Sequence, residues 1–170
     1  GKTPPKGWGD RYSSPASPEL QDARDIPKTW AWASVEQLAA EERYSLAIGP
    51  FGSNLKVSDY AESGVPLVFV RNIRANDFGG GRDKFVSPAK AQELGAHSAD
   101  PGDILITKMG DPPGDACLYP AGRSRAIITA DCIKWRLHPL LPHAQHFVNA
   151  INSEVVKRQM GRITKGVAQQ

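Results

Sequence analysis

The chain has 170 residues, 40% of them hydrophobic, and a formal net charge of +3 at pH 7. This length supports one domain with its own core. No apolar run approaches the roughly 18 residues of a membrane helix, and no apolar segment of the signal-peptide kind follows the first lysines. Two cysteines, Cys117 and Cys132, are too few for a disulfide framework. We expect them to be buried thiols in a cytoplasmic protein, with a metal pair as the alternative.

The N-terminal segment has a composition of its own. Residues 1–27 contain five prolines and show no apolar periodicity, which predicts an extended arm or linker. After it, Trp30 and Trp32 alternate as on one face of a short strand. Ser34 is placed to cap the helical turn that follows.

Short apolar segments separated by turn residues fill the middle of the chain. They predict strands over residues 67–73 and within FVS, GDILITKMG, DACLYP, AIIT and CIKWRL. AKAQELGAH predicts a brief helix that ends at Gly95. The period then becomes helical in LPHAQHFVNAIN and SEVVKRQMGRI, where Ser153 is a natural N-cap. Residues 28–165 are therefore predicted to form a single α+β domain with a twisted, mostly antiparallel sheet of short strands and a C-terminal helical hairpin.

The stretch GPFGSNL has glycines without the spacing of a phosphate-binding loop. A P-loop requires G-x-x-x-x-G-K-[ST], whereas here the glycines are three apart, Pro50 lacks an amide donor and Ser53 stands where lysine would. The dinucleotide fingerprint G-x-G-x-x-G has no match in this stretch either. The stretch predicts a turn that anchors Phe51 in the core and directs Ser53, Asn54 and Lys56 outward, toward DNA or toward solvent.

Three further patterns contain residue types found in catalytic or metal-binding sites. GDPPGD resembles the Asp-Pro-Pro core of adenine methyltransferase active sites, but Gly114 stands where their base-stacking aromatic residue would be. His143 and His146 are three residues apart on a predicted helix, without the glutamate of H-E-x-x-H. Ser53 lacks the G-x-S-x-G surroundings of a nucleophile. No catalytic residue and no metal site is therefore predicted.

Basic residues concentrate toward the C-terminus. Residues 101–170 carry nine basic and five acidic side chains, whereas the preceding segments are balanced; this is compatible with a polyanionic partner or with a solvated face. Arginine and asparagine suit guanine and adenine edges, while lysine mainly holds phosphates. The predicted base contacts are Arg71, Asn72, Arg74 and Asn76. The predicted phosphate contacts are Lys56, Lys108, Arg123, Arg125 and Lys165.

Six segments in order carry a family resemblance: IPKTWAWASVEQLA, GPFGSNL, DYAESGVPLVFVRNI, GDILITKMGDPPGDACLYP, AIITADCIKWRL and INSEVVKRQMGRITKGVAQQ. Together they resemble a target recognition domain of a type I restriction–modification specificity subunit. Each motif alone is weak, and the resemblance lies in their order and spacing. It covers about residues 26–170.

The resemblance implies sequence-specific, non-catalytic recognition of one half of a bipartite site on double-stranded DNA. In such subunits a long spacer helix follows each of two recognition domains, and residues 166–170 are expected to begin one. The N-terminal arm favours the second domain of the subunit. No cofactor is expected in this chain. Its expected partners are methyltransferase subunits that use S-adenosylmethionine and, indirectly, a restriction subunit that uses ATP.

Two other functions stay open from the sequence. One is a recognition-domain fragment of a DNA adenine methyltransferase, which a cofactor loop in the neighbouring sequence would favour. The other is a protein-interaction module whose basic face is incidental, which salt-insensitive binding to a protein without DNA binding would favour.

Overall fold

A computed structural model of the chain describes residues 15–18, 25–110 and 113–163. The chain divides into two compact units, Gly1–Ala39 and Ala40–Gln170. Most of the predicted arm, all of the predicted spacer segment and Lys165 lie outside the described residues. The predicted domain start at residue 28 stays a prediction.

The first unit differs from the prediction at its tryptophans. The backbone is irregular at Trp30 and Trp32, and their side chains are 66% and 39% exposed, so their alternation marks no buried strand face and the predicted strand is wrong. The cap is present, because the Ser34 hydroxyl accepts the N–H of Gln37 at 3.2 Å. The N–H of Ser34 donates to the Gln37 side chain at 3.0 Å in return.

The described part of the second unit contains eleven short strands and three helices. The strands are β1 (Leu46–Ile48), β2 (Tyr60–Ala61), β3 (Val65–Val68), β4 (Ile73–Arg74), β5 (Asp77–Phe78), β6 (Phe85–Val86), β7 (Ser98–Ala99), β8 (Ile104–Thr107), β9 (Ala116–Leu118), β10 (Ala126–Ile128) and β11 (Cys132–Trp135). The helices are α1 (Pro88–Glu93), α2 (Ala144–Ile151) and α3 (Glu154–Ile163).

The strands form three sheets rather than one. A four-stranded antiparallel sheet has the order β1-β11-β8-β9, a five-stranded sheet has the order β2-β6-β3-β10-β7, and β4 pairs with β5 alone. Every pairing is antiparallel except that of β3 with β10, where Leu67 lies opposite Ile127. The predicted α+β class with short, mostly antiparallel strands is confirmed, whereas the number of sheets differs.

Strand β10 explains how the two larger sheets share a core. Ala126 and Ile128 belong to one buried cluster together with residues of the four-stranded sheet, whereas Ile127 packs into a second cluster with Leu67 and Val86. A strand buried on both faces reads as a continuous apolar run, which is the pattern of AIIT. The core therefore lies on both sides of this strand.

Both cysteines are buried, as predicted. Cys117 is 1% and Cys132 is 0% exposed. Burial raises the pKa of the Cys117 thiol to about 12 and that of Cys132 to about 11. Since the thiolate is the reactive and metal-binding form, these side chains act as small apolar core residues.

The two C-terminal helices follow the predicted periodicity. Helix α2 buries Val148 and Ile151, and Phe147 meets Trp135 edge to face at 5.9 Å between ring centroids. Between the helices, the Asn152 side chain pairs with the backbone of Ala116, accepting its N–H at 3.0 Å and donating to its carbonyl at 2.8 Å. Within the described residues no helix is both long and apolar enough to cross a membrane.

Candidate nucleic-acid interface

The predicted strand over residues 67–73 ends early and becomes a loop. Strand β3 stops at Val68, and a 3-10 turn over Val70–Asn72 follows. The reason is Asn72, which is 6% exposed. Its side-chain oxygen accepts the N–H of Phe69 at 2.8 Å, and its side-chain nitrogen donates to the carbonyl of Gly80 at 2.6 Å. Both halves of the amide are thus used within residues 69–84, a segment we call the arginine loop.

Arg71 is one of the exposed side chains of this loop. Its guanidinium lies over the Phe69 ring at 4.1 Å from the centroid and donates to the Arg82 carbonyl at 3.3 Å. Gly81, at φ +78°, leaves the room that the side chain needs, because an added Cβ would lie 2.6 Å from the Arg71 Nε. Arg71 forms no ion pair with the described residues. The loop therefore holds a full positive charge at the surface in one orientation.

Arg123 adjoins the arginine loop from another turn. It forms a 3.4 Å ion pair with Asp83, and its guanidinium lies 5.7 Å from the centroid of Phe78. Both partners of the pair are about half exposed, so the pair adds little stability. A phosphate can exchange with such a carboxylate.

Arg74 and Asn76 lie at the β4–β5 hairpin. The Arg74 guanidinium donates to the Ile73 carbonyl at 2.9 Å, which leaves its charge unpaired by any described carboxylate. Asn76 adopts a φ of 64°, the left-handed region that asparagine tolerates. Its side-chain oxygen accepts from Gln145 at 2.9 Å, and Gln145 also donates to Asn149 at 3.0 Å. The two residues of α2, which sequence reasoning missed, extend the exposed polar surface beside Asn76.

The turn at GPFGSNL presents its aromatic ring to solvent. Phe51 is 60% exposed, so the prediction that it anchors in the core is wrong. Gly49 takes the tight position instead, since an added Cβ there would overlap the Thr129 carbonyl. The Lys108 ammonium lies 4.8 Å from the centroid of the Phe51 ring. We call Phe51 with Lys108 the Phe51 corner.

The polar residues after Phe51 are exposed. Ser53 and Asn54 lie in a 3-10 turn over Gly52–Asn54, and Lys56 precedes the next one. The Lys56 backbone N–H donates to the Asp59 carboxylate at 2.7 Å, while no described acidic side chain forms an ion pair with its ammonium. Lys108 is likewise exposed and without an ion pair in the described residues.

Arg125 belongs to a different arrangement. It holds Asp100 through two contacts of 2.6 and 2.9 Å, and this contact lowers the pKa of the Asp100 carboxyl. Asp100 also contacts Arg136 at 2.7 Å, and Arg136 binds the buried Asp103 and the exposed Glu42, each at 2.8 Å. The charge of Arg125 is therefore already compensated within an ion-pair network that joins β11 to the loops around it.

The described residues contain no group of three or more histidine, cysteine, aspartate or glutamate side chains that could hold a metal ion. Residues 111 and 112 of GDPPGD lie outside the described residues. Gly114, at φ +91°, sits directly against Met160 of α3. Lys157 of the same helix binds Asp115 at 2.7 Å, so this turn packs against the helix that follows it.

Comparison with solved structures identifies the fold. The HsdS subunit from Thermoanaerobacter tengcongensis matches with a TM-score of 0.59 at 15% identity, over 86% of this chain and 32% of that chain. A structure concerned with complex assembly and conformational transition of the type I R-M system matches with a TM-score of 0.56 at 17% identity, over 82% of this chain and 32% of that one. No family model and no curated protein matches the sequence. This chain spans about a third of the chains it matches, and over that third it has the fold of an HsdS specificity subunit, as the resemblance in its sequence predicts.

Proposed function

We propose that this chain is a non-catalytic module that recognises one half of a bipartite DNA target, as part of the specificity subunit of a type I restriction–modification complex. The fold shared with HsdS supports this role. The observation that carries the proposal is the arginine loop, because it holds an exposed arginine, unpaired by any carboxylate of the described residues, in a defined orientation. The basic excess of residues 101–170 provides the accompanying electrostatic attraction.

Arg71 is the residue we assign to base recognition. A guanidinium offers five donors in a rigid fork and pairs with O6 and N7 of guanine in the major groove. The contact with the Phe69 ring at 4.1 Å and the hydrogen bond to the Arg82 carbonyl hold the guanidinium in place, which reduces the entropy that binding would otherwise cost. Arg74 and Asn76 are proposed to contact neighbouring bases from the β4–β5 hairpin within the same loop.

Asn72 has a different part in the proposal. Its buried amide is used twice within the loop, so it positions Arg71 and does not itself reach a base. Gly81 supports the same arrangement by leaving space beside the Arg71 side chain. Base recognition thus depends on two residues that are not themselves at the interface.

The proposed phosphate contacts differ in how much rearrangement they require. Lys56 and Lys108 are exposed and unpaired among the described residues, so they can bind a phosphate directly. Arg123 has to exchange Asp83 for the phosphate, and Arg125 would have to leave its two contacts with Asp100. Ser53, Asn54 and, from its sequence position, Lys165 complete the proposed set.

The proposed setting follows from the specificity-subunit role. The chain itself binds no cofactor; methyltransferase subunits bind S-adenosylmethionine and a restriction subunit binds ATP. The methyltransferase subunits contact the specificity subunit directly, and the restriction subunit joins through them. The complex acts on double-stranded DNA in the cytoplasm.

The test is methylation mapping of the intact system before and after this module is exchanged for that of another specificity subunit. We expect the methylated half-site to change with the module. An unchanged half-site contradicts the proposed function.

Individual residues are tested on the half-site duplex obtained in this way. Arg71→Ala should weaken binding by roughly 1–3 kcal/mol and relax one position of the site. Arg158→Ala is the matched control, since it removes an exposed arginine that is paired with Glu154 on α3, outside the proposed interface. Equal effects of the two substitutions would show that Arg71 contributes only charge.

A further inference from the structure

The Phe51 corner is an exposed aromatic ring next to a lysine ammonium that forms no ion pair with the described residues. Phe51 leaves 60% of its surface in contact with water, which is unfavourable for a side chain of this size. The ring follows Pro50 and precedes Gly52, whose φ is +54°, so it lies at the tip of a tight turn. Its exposure is a property of the turn and not of a loose chain end.

One short turn supports both members of the corner. Within residues 129–132, Thr129 and Ala130 lie against Gly49, and the Gly49 N–H donates to the Cys132 carbonyl at 3.0 Å. The backbone N–H of Lys108 donates to the Asp131 carbonyl in the same turn at 2.8 Å. Because Cys132 is fully buried, this supporting turn is anchored in the core. Phe51 and Lys108 are therefore held next to each other by backbone contacts and not by their side-chain contact alone.

We propose that Phe51 is an apolar wedge that enters a base-pair step of duplex DNA at the edge of the recognised half-site. Large apolar side chains that enter between base pairs partly unstack them and kink the duplex. Insertion would bury the part of the ring that is now exposed. Lys108, with its flexible four-carbon chain, would move from the ring face to the phosphate beside the opened step.

Charge decides between DNA and a protein as the partner of this corner. The cation that covers the ring has no described ion-pair partner, and Lys56 supplies a second one on the same turn. The Asp59 carboxylate accepts the Lys56 backbone N–H and forms no ion pair with the Lys56 ammonium among the described residues. Duplex DNA has phosphates on the outside and stacked, apolar bases inside. An aromatic ring flanked by lysines matches both features. The inference rests on the proposed DNA-recognition function.

The test places 2-aminopurine at successive positions of the half-site duplex and measures its fluorescence with the assembled protein. We expect the wild-type protein to raise the fluorescence at one step, because unstacking relieves quenching. Phe51→Ala should abolish that rise and weaken binding about tenfold, while Phe51→Leu should keep the rise because leucine is also a wedge residue. Lys108→Ala should lower the salt dependence of binding by about one phosphate contact.

Val57→Ala is the matched control, since Val57 is 78% exposed in the next turn and is not proposed to enter the duplex. A Phe51→Ala protein with the wild-type fluorescence profile and affinity overturns the wedge while DNA recognition stands. A Phe51→Ala protein that assembles more weakly with its partner subunits but, once assembled, keeps the wild-type profile overturns the wedge in favour of a protein contact. If the wild-type protein itself fails to bind the duplex, the proposed function fails first.

Discussion

Removal of the Asn72 amide is the substitution that separates the support of the arginine loop from its recognition surface. Asn72 is 6% exposed and makes hydrogen bonds of 2.8 and 2.6 Å to the backbone of Phe69 and Gly80. Each such bond is worth about 1 kcal/mol net, and a half-buried N–H left without a partner adds about 1 kcal/mol more. Asn72→Ala should therefore reduce the free energy of unfolding by about 2–3 kcal/mol, which corresponds to a fall in Tm of roughly 6–12 °C.

Asn72→Asp offers a sharper version of the same experiment. An ionised aspartate keeps the acceptor for the Phe69 N–H but turns the donor to Gly80 into an oxygen that faces a carbonyl. A protonated aspartate restores one donor. We expect Asn72→Asp to be destabilised at neutral pH and to recover part of the loss at acidic pH, whereas Asn72→Ala shows no such recovery.

Chemical unfolding at two pH values measures the stability, and titration with the half-site duplex measures the affinity. Asn72→Ala should weaken DNA binding in a protein that has Arg71 and should add no further loss in an Arg71→Ala background. Arg71→Ala alone should leave the free energy of unfolding nearly unchanged, because the side chain is exposed. An Asn72→Ala protein as stable as the wild type would refute the structural role given to this amide.

Three further predictions concern the rest of the scaffold. Gly49→Ala should destabilise the protein in thermal unfolding and lower DNA affinity, because the new methyl group would overlap the supporting turn; wild-type stability would contradict this packing. Arg136→Ala should reduce the free energy of unfolding by roughly 3 kcal/mol, since it leaves Asp103, whose side chain is 4% exposed, without its cation; an equal loss in Asp103→Asn would show that the pair acts as a unit. The Arg125 contact lowers the pKa of Asp100 below its usual 3.8, so it stabilises the fold above about pH 4 and is lost as the pH falls further. Arg125→Ala should reduce the loss of unfolding free energy that occurs as the pH falls below about 4. If that loss is unchanged, other carboxylates are responsible for acid unfolding.

The regular elements were predictable where one pattern determined them. Helix α2 follows from apolar spacing alone, and β8 and β11 from apolar segments bounded by turn residues. Division of the strands into separate sheets was not predictable, because the pairing of β3 with β10 joins segments about sixty residues apart. Periodicity describes each strand but not its neighbour.

Side-chain environment was the harder part of the candidate site. The sequence indicates that Asn72 and Arg74 follow a strand, but not that the first is buried and the second exposed. The spacing from Phe69 to Asn72 is the one signal available, since an asparagine side chain can accept a backbone N–H three residues before it and start a turn. Phe51 was misplaced because large apolar residues are usually buried. Nothing in the sequence shows that Gly49 already fills the space against Thr129.

In both the arginine loop and the Phe51 corner, the residue that holds the backbone in place is different from the exposed residue proposed to contact DNA. In the arginine loop the buried side chain of Asn72 fixes the backbone, and in the Phe51 corner the close packing of Gly49 does so. The exposed side chain nearby, Arg71 or Phe51, makes few contacts of its own. We expect substitution of an exposed residue such as Arg71 or Phe51 to alter the proposed DNA contacts at little cost in stability, whereas substitution of Asn72 or Gly49 disturbs the fold. On the proposed DNA-recognition function, a module built in this way acquires a new target by exchange of its exposed loop side chains. Under the same proposal Asn72 and Gly49 stay unchanged, because neither is assigned a contact with a base.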